Sequence, residues 1–326
     1  MSASAKILSL SPANAIKWSV GSWSLFIAEN YILSENRTAI IAAVGDDNYH
    51  YIYGLCSTLA VSSIVYGYQY KIKPASSSVP GMMLWAKNAP VPLPARIAAF
   101  VSMGLGLGLV SQSVPKLQIP LEYRNGNGNI SATANNEASA SSPAAARTAA
   151  ENSNAESSKK WKVRCPFDFT DGKSKSLEGG SAITLHGVER ISRHPGLWSF
   201  GLLGLGFSFL SPFAPIRIWL SMPMMVAWIG GGHTDSRHRR GMGGELSRDM
   251  DAVTSNVPFW AMLSGRQGVG AMDAFGKLLG EEVKGLNGLL ALGVAASFVA
   301  SRGRGRVPGG GASSSSARLM GSRFGR

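Results

Sequence analysis

The chain has 326 residues, of which 45% are hydrophobic and only 16% are charged, and its formal net charge is +13. Because soluble domains average about 25% charged residues, this depletion of charge indicates a membrane protein rather than a soluble globular one. The positive charge does not predict a nucleic-acid-binding protein, since Lys and Arg lie in loops and tails between apolar segments, as they do beside membrane spans. The two cysteines, Cys56 and Cys165, fit neither a disulfide framework nor the spacing of a metal site.

Three apolar segments of nearly membrane-spanning length lie in the N-terminal membrane region, residues 1–115. About 20 apolar residues, each adding about 1.5 Å of helix, are needed to cross a bilayer core of about 30 Å. Residues 51–70 meet this requirement without a charge and carry tyrosines at both ends, as expected at a membrane interface. Residues 18–33 and 97–114 are the other two predicted spans, and Glu29 lies near the end of the first.

Two polar regions separate and follow the apolar ones. The region 116–185 is predicted to be a low-complexity linker, because Asn, Ala, Ser and Gly dominate its first part. Such a composition cannot bury enough apolar surface to offset the entropy lost on ordering, so we expect the linker to be disordered. The basic tail, 302–326, is rich in Gly, Ser and Arg and is predicted to be disordered for the same reason.

The second membrane region covers residues 186–301. Its apolar block, 196–232, contains Arg217 as its only charge and is long enough for two short spans that turn at the prolines of 211–215. Residues 286–300 predict a sixth span, with an interfacial or packed helix as the alternative. The sequence therefore predicts an all-α fold, a multi-pass transmembrane helical bundle of about six spans with a disordered linker and tail.

An amphipathic pattern precedes the last apolar segment. Residues 272–284 place Phe275, Leu278, Leu279 and Val283 on one helical face. This pattern predicts a helix that lies on the membrane surface, with packing against the spans as the alternative.

A series of short motifs occurs between the apolar segments of the second region. In chain order they are Arg193-His194-Pro195 before a Gly/Leu-rich span, His233-Thr234-Asp235 before an Arg cluster, Gly243-Gly244-Glu245, Thr254-Ser255-Asn256-Val257-Pro258-Phe259, and Ser264-Gly265-Arg266-Gln267. In this order the motifs resemble the NnrU family, and the last one resembles its plastid branch in particular, the 15-cis-zeta-carotene isomerases. The resemblance is closer over residues 185–280 than over residues 15–110.

The resemblance implies an integral, multi-pass protein of a plastid membrane. Plant members are similar to a haem b enzyme that isomerises the central cis double bond of a carotenoid, and bacterial members are linked to nitric oxide reductase function. The isomerases hold haem through two histidines inside spans, and the matching positions here are Asn30 and Phe207. Neither residue is an axial haem ligand. The resemblance therefore implies either an isomerase-like enzyme with altered or lost haem ligation, or a non-catalytic membrane assembly or lipid-contacting protein of the same family.

His194, His233 and Asp235 are the candidate catalytic residues. His194 could act as a haem ligand or proton carrier, or it could simply cap a helix whose first turn contains Pro195. Asp235 lies two residues from His233 and could orient that imidazole as an acid, a base or a metal ligand. Asp235 could equally pair with one of the arginines that follow it.

Four arginines form a predicted membrane-surface cluster that binds anionic lipid headgroups, namely Arg193, Arg237, Arg239 and Arg240. The last three could also hold their loop against Glu245 or Asp249. A carboxylate inside a span is costly, so we expect Glu29 to pair with Arg37 or Arg96. No dedicated metal site is predicted, and the predicted partners are the lipid bilayer and, through the resemblance, a carotenoid substrate.

Overall fold

The computed structural model describes residues 11–78, 82–86, 89–113 and 185–303. Within these ranges the chain is helical, with no β-strand and one isolated bridge between Met83 and Phe213. The all-α prediction is therefore confirmed for the part of the chain that is described. The predictions for residues 116–184 and 304–326 lie outside it. The helices are α1 Pro12–Glu35, α2 Arg37–Val44, α3 Asp46–Tyr66, α4 Lys73–Ser78, α5 Leu93–Ser113, α6 Val188–Ile191, α7 Pro195–Phe209, α8 Ala214–Arg239, α9 Arg248–Val253, α10 Trp260–Leu263, α11 Ala271–Lys277 and α12 Gly285–Gly303.

The helix boundaries follow local sequence signals. Helix α1 begins with Pro12, and the hydroxyl of Ser11 accepts a hydrogen bond from Asn14 N at 3.2 Å, which is a standard N-cap. The predicted turn at 211–215 is confirmed, since α7 ends at Phe209 and α8 begins at Ala214 with a proline in its first turn. Two helices continue as π-helical turns, α3 into Gly67–Ile72 and α11 into Leu278–Glu282.

Helix α7 lies at the centre of the bundle and packs against α5 and α8. Its glycines permit this close approach: a Cβ at Gly204 would lie 2.5 Å from the carbonyl oxygen of Leu220, and one at Gly206 would lie 2.3 Å from Cγ of Met103. Small residues at helix contacts are typical of helices that associate in lipid. Helix α12 packs on α5, while α1 packs on both α8 and α3.

The helix directions define two ends of the bundle. Ser19, early in α1, donates a hydrogen bond to the carbonyl of Pro215 at the start of α8 (2.8 Å), whereas Glu35 at the end of α1 binds Arg240 just after α8. Helices α1 and α8 are therefore parallel. The order of contacts makes α3 antiparallel to α1 and α7 antiparallel to α8. We call the end that contains the start of α7 and the last turn of α8 the motif end.

Two of the helices are long and apolar enough to cross a membrane, α5 over its full length and α12 over Gly285–Arg302. The four apolar residues of the amphipathic stretch 272–284 differ in burial. Phe275, Leu278 and Val283 pack against the apolar core, while Leu279 is exposed. Packing against the helices, the alternative interpretation, therefore accounts for three of the four residues.

Candidate functional site

Two motifs that lie about sixty residues apart in the chain are in direct contact at the motif end. The amide of Arg193 donates to the carbonyl of Ser255 at 3.0 Å, and the hydroxyl of Ser192 donates to the carbonyl of Asn256 at 2.6 Å. The amide of Phe259 donates to the carbonyl of Ile191 at 2.9 Å. The Thr254–Phe259 motif is therefore docked against the start of α7 by hydrogen bonds to its backbone.

Asn256 connects this loop to two helices. Its side-chain oxygen accepts a hydrogen bond from the indole of Trp198 at 3.0 Å, and its amide nitrogen donates to the carbonyl of Trp228 at 3.2 Å. The side chain lies directly against α8, because a Cβ at Gly231 would be 2.3 Å from the Asn256 oxygen. The glycine at 231 is therefore required by the close approach of Asn256.

Arg193, His194, Asp235 and Asp251 form what we call the inner cluster. One carboxylate oxygen of Asp235 lies 2.8 Å from Nε2 of His194, and the other accepts a hydrogen bond from Arg193 at 2.6 Å. Arg193 also donates to Asp251 at 2.8 Å. The residues 193, 194 and 235 are almost fully shielded from solvent, so these charge-assisted bonds form in a medium of low dielectric constant.

The contact with Asp235 determines the chemistry available to His194. A carboxylate accepts hydrogen bonds, so the proton of a neutral His194 ring lies on Nε2. The other ring nitrogen, Nδ1, is buried and has no hydrogen-bond partner among the described residues. His194 thus carries an oriented lone pair that could accept a proton or bind a Lewis acid. His194 is also the N-cap residue of α7, with Pro195 in the first turn as the alternative interpretation expected, but its side chain forms no cap hydrogen bond.

A second group, the outer cluster, joins the ends of α1 and α8 and consists of Ser34, Glu35, His233, Arg237 and Arg240. Ser34 Oγ accepts a hydrogen bond from Arg237 at 2.7 Å and lies 3.2 Å from Nε2 of His233. Glu35 accepts a hydrogen bond from Arg240 at 2.8 Å, and the pKa of Glu35 is lowered chiefly by that bond. The ring of Tyr31 lies 4.2 Å from the ring of His233, centre to centre.

The predicted pairing of Asp235 with His233 is not formed. Residues two apart on a helix point to nearly opposite sides, so His233 faces α1 while Asp235 faces α7. The alternative pairing of Asp235 with the arginines that follow it was also wrong, because its partners are Arg193 and His194. The three candidate catalytic residues are therefore divided between the inner and outer clusters.

The four arginines predicted at the membrane surface occupy two environments. Arg237 is buried and the Arg193 side chain is mostly shielded, whereas Arg239 and Arg240 are about half exposed. None of the three later arginines holds the loop through a described ion pair with Glu245 or Asp249. Arg239 binds Asp251 at 2.7 Å, and Arg240 binds Glu35.

Asp251 links the two sides of the inner cluster. Its hydrogen bonds with Arg239 lower the pKa of the carboxyl from the ordinary 3.8 to about 2; burial opposes this change, and Arg193 adds to it. Asp251 is therefore ionised throughout the neutral and mildly acidic range. The sequence offered no specific signal for this residue beyond the mixed charges of its loop.

An ion pair that sequence reasoning missed joins α6 to the end of α11. The guanidinium of Arg190 and the carboxylate of Glu282 are both buried and lie 2.8 Å apart, and Arg190 also donates to Gln267 at 2.9 Å. Burial raises the pKa of Glu282, but the bonds from Arg190 and from the amide of Gly187 lower it further, so that the net pKa is below the ordinary value. The only sequence signal for this contact was Gln267, a partner of Arg190 that belongs to the last motif of the series.

Asn30 and Phe207, the positions that the resemblance to the isomerases aligns with haem ligands, do not fit axial ligation of a haem. The amide nitrogen of Asn30 donates to the carbonyl of Phe26 at 2.8 Å and to Glu29 at 2.8 Å, and its oxygen accepts a hydrogen bond from Tyr53. Phe207 packs edge-to-face against Phe298 at 5.4 Å. Axial ligation needs a ring nitrogen, thiolate, thioether or phenolate, and these positions supply none.

Glu29 has different partners from those predicted. It accepts hydrogen bonds from Asn30 and from Ser57 at 3.1 Å, while Arg37 lies 3.9 Å from Asp46. Arg96 lies at the other end of the bundle, at the start of α5. A network of neutral donors therefore replaces the expected ion pair.

An apolar groove of about 310 Å³ runs between α1 and α8 and is lined by Ile27, Ile32, Met222, Met225 and Ile229 among others. Tyr31 lies at its edge and also stacks on His233, so the groove adjoins the outer cluster. Among the described residues, no three His, Cys, Asp or Glu side chains are grouped so that they could hold a metal ion.

Comparison with known proteins found no family model, no curated protein and no solved structure that matches this chain.

Proposed function

We propose that this chain is a multi-pass integral membrane protein of the NnrU type. The observation that carries the proposal is the apolar outer surface of the helices. Along α3, Tyr51, Leu55 and Leu59 are 79%, 63% and 62% exposed, and they follow one another at intervals of four residues. Similar exposed rows lie on α5 and α12. Water-soluble proteins rarely expose apolar patches larger than a few hundred Å², whereas a lipid bilayer solvates such a surface.

The low burial of the two apolar helices and the position of the polar clusters at helix ends support membrane insertion. Only 28% of the apolar window of α5 and 22% of that of α12 is buried, whereas the core helix of a soluble protein is mostly buried. The inner and outer clusters lie at helix ends, where water and headgroups can reach their rims. Together with α1, α3, α7 and α8, these two helices make up the proposed six spans.

Membrane integration can be tested by extraction. We expect the expressed chain to remain in the membrane pellet after washing with alkaline carbonate and with high salt, and to be released only by detergent. Recovery of the folded chain in the carbonate or salt supernatant would show that it is not an integral membrane protein.

The second candidate is an activity, the cis–trans isomerisation of a carotenoid. The specific observation in its favour is the apolar groove beside Tyr31 and His233, since a long apolar polyene requires such a groove. A balanced isomerisation needs a proton delivered to the polyene, rotation about the bond whose order is thereby lowered, and loss of the same proton, and His233 is the imidazole beside the groove through which that proton could pass. The unpaired nitrogen of His194 is the second potential proton-transfer group.

The activity can be tested with protein purified in detergent. Tri-cis-zeta-carotene would be incubated with the wild type, His233→Ala, His194→Ala and the control His186→Ala, whose side chain is exposed and belongs to neither cluster. Loss of isomerisation in His233→Ala with retention in His186→Ala supports the enzyme. A visible spectrum recorded on each variant shows whether haem is bound and whether His194 holds it. Unchanged substrate with colourless wild-type protein would leave the non-catalytic membrane role.

A further inference from the structure

The charged residues of the described helices are sorted between the two ends of the bundle. Opposite the motif end lie the first residues of α1, α5 and α8, the junction of α3 with α4, and the last residues of α12. The Lys and Arg side chains at this end, which we call the basic end, are Lys17, Lys71, Lys73, Arg96, Arg217 and Arg302. The carboxylates of the described residues all lie in the other half of the bundle, at Glu29, Glu35, Asp46, Asp47, Glu189, Asp235, Glu245, Asp249, Asp251, Asp273, Glu281 and Glu282.

The motif end is largely neutralised by its own ion pairs. Arg190, Arg193, Arg239 and Arg240 each bind a carboxylate there, at distances between 2.5 and 2.8 Å. These four cations therefore have internal partners, and the exposed cations Arg248, Arg266 and Lys277 share the motif end with the described carboxylates. Those of the basic end have no carboxylate partner within the described ranges, so their positive charge is not neutralised there.

Aromatic rings accompany the cations of the basic end. The guanidinium of Arg217 lies 5.7 Å from the ring centre of Trp85 and 5.6 Å from that of Phe209, and the ammonium of Lys71 lies 5.7 Å from the ring of Tyr66. Rings beside Lys and Arg are the arrangement found where a helix bundle leaves the bilayer core. Such contacts occupy the aromatic face and leave N–H donors of the cation for an anion.

The sequence of the segments attached to this end extends the same pattern. Residues 73–96 and 302–326 contain no Asp or Glu, and the second of these segments carries six arginines. The long insertion 114–184, which contains acids as well as bases, is attached to the motif end through α5. Helix direction thus separates charges that appear mixed along the linear sequence.

We propose that the basic end lies against an anionic lipid leaflet, binds the phosphates of its headgroups, and fixes the orientation of the protein with this end on the side from which the chain is inserted. Short loops rich in Lys and Arg stay on that side, and each cation near an anionic surface adds to the attraction. The inference rests on the proposed integral membrane protein. The motif end, with its satisfied ion pairs, then faces the opposite compartment.

The contact between the basic end and anionic lipid can be tested by native mass spectrometry. Protein in detergent micelles is titrated with phosphatidylglycerol or with phosphatidylcholine, and the lipid bound to it is measured. The test variant Lys17→Gln/Lys73→Gln/Arg302→Gln removes three exposed cations from the basic end. The matched control Arg248→Gln/Arg266→Gln/Lys277→Gln removes three exposed cations from the motif end. We expect the test variant to raise the Kd for phosphatidylglycerol by about tenfold or more, with little change in the control. Equal effects of the two triple variants, or no preference of the wild type for phosphatidylglycerol, would overturn the proposal.

Orientation tests the second part of the proposal. In a background of Cys56→Ser/Cys165→Ser, single cysteines are introduced by Lys73→Cys at the basic end or Asp249→Cys at the motif end, and intact bacterial cells are treated with a membrane-impermeant maleimide. We expect Asp249→Cys to be labelled from outside and Lys73→Cys to be labelled only after the cells are opened. The reverse pattern would contradict the orientation.

Different results would refute membrane integration and the role of the basic end. A chain that leaves the membrane in carbonate refutes the integral membrane protein itself. A chain that requires detergent, yet binds both lipids equally or inserts in both orientations, refutes only the role of the basic end.

Discussion

At the scale of single residues, Asp235 is the side chain on which the motif end depends. It binds His194 and Arg193 through different carboxylate oxygens; His194 and Asp235 are buried and the Arg193 side chain is only 11% exposed. Removing one member of a buried charge pair is more damaging than replacing the whole pair, because the remaining charge loses its partner without regaining water. The inner cluster should therefore be far more sensitive to Asp235 than to any exposed acid of the same end.

We expect Asp235→Asn to lower the free energy of unfolding by about 3 kcal/mol and the Tm accordingly. Asparagine keeps the shape of the side chain but leaves Arg193 with only the charge of Asp251. The control is Asp249→Asn, an exposed residue in the first turn of α9, which should change the Tm little. Thermal unfolding in detergent, followed by circular dichroism, measures both, and similar Tm values for the two variants would contradict the role assigned to Asp235.

The pKa of Asp251 predicts a defined pH dependence. The folded protein holds this pKa near 2, below the ordinary 3.8, so the stabilisation is complete above about pH 4 and is lost as the pH falls towards 2. Asp251→Asn lacks this contribution at every pH. We therefore expect the Tm difference between wild type and Asp251→Asn to be constant from pH 7 to pH 5 and to shrink between pH 4 and pH 2. A difference that does not change with pH would show that the carboxylate gains nothing from Arg239.

Sequence reasoning found the residues of the inner cluster but not their pairing. Arg193, His194 and Asp235 were singled out because they belong to recognisable motifs. Which carboxylate meets which cation depends on the direction in which α8 presents each residue, and neighbours in sequence such as His233 and Asp235 point to different helices. Asp251 completes the cluster from α9, a short helix that contains none of the motifs.

At the scale of helices, the glycines of α7 determine how closely the central helix meets its neighbours. Gly204 faces the backbone of α8, which cannot move aside cheaply, whereas Gly108 on α5 faces open space. Comparing the two positions therefore distinguishes a glycine that close packing requires, Gly204, from one that only lowers helix stability, Gly108.

Gly204→Ala should lower the free energy of unfolding by about 1–3 kcal/mol, because its Cβ would lie 2.5 Å from the carbonyl oxygen of Leu220. Gly108→Ala is the matched substitution and should be neutral or stabilising, since alanine is the better helix former and has room there. Thermal unfolding of the two variants in the same detergent provides the comparison. Equal destabilisation by both would mean that the α7–α8 contact is looser than the structure shows.

Local patterns were sufficient to predict most helices. The apolar segments 18–33, 51–70 and 97–114 each fall within or along a helix, and the prolines of 211–215 separate α7 from α8 as predicted. The π-helical turns after α3 and α11 were not predicted, because an extra residue per turn leaves no signal in the spacing of apolar residues. The amphipathic pattern placed Leu279 on the same face as Phe275, Leu278 and Val283, but the structure leaves it exposed while those three pack against the core. Which residues of a helix are buried depends on the neighbours that the helix contacts.

At the scale of the whole molecule, large apolar side chains are exposed along several of the described helices. Cys56 lies in the middle of α3, between the exposed positions 55 and 59. In a bilayer this part of α3 should be covered by lipid, and no aqueous reagent should reach it.

We expect Cys56, in a Cys165→Ser background, to resist a water-soluble maleimide in sealed and in opened membrane vesicles alike, and to react after denaturation. Asp249→Cys in a background without Cys56 and Cys165 serves as the positive control, because residue 249 is exposed on α9. The extent of labelling is read from the mass of the protein. Rapid reaction of Cys56 in intact vesicles would contradict the placement of α3 in the bilayer.

The sequence by itself determined the class of the protein: low charge, apolar segments of spanning length and prolines at a turn are local properties, and they predict a helical bundle without reference to its packing. Only the tertiary structure decided which charges meet. The inner cluster joins residues about sixty positions apart, and the separation of the basic end from the motif end follows from helix direction. Coulomb interactions and hydrogen bonds depend on distance in space, and that distance is set by how the helices pack, not by position along the chain.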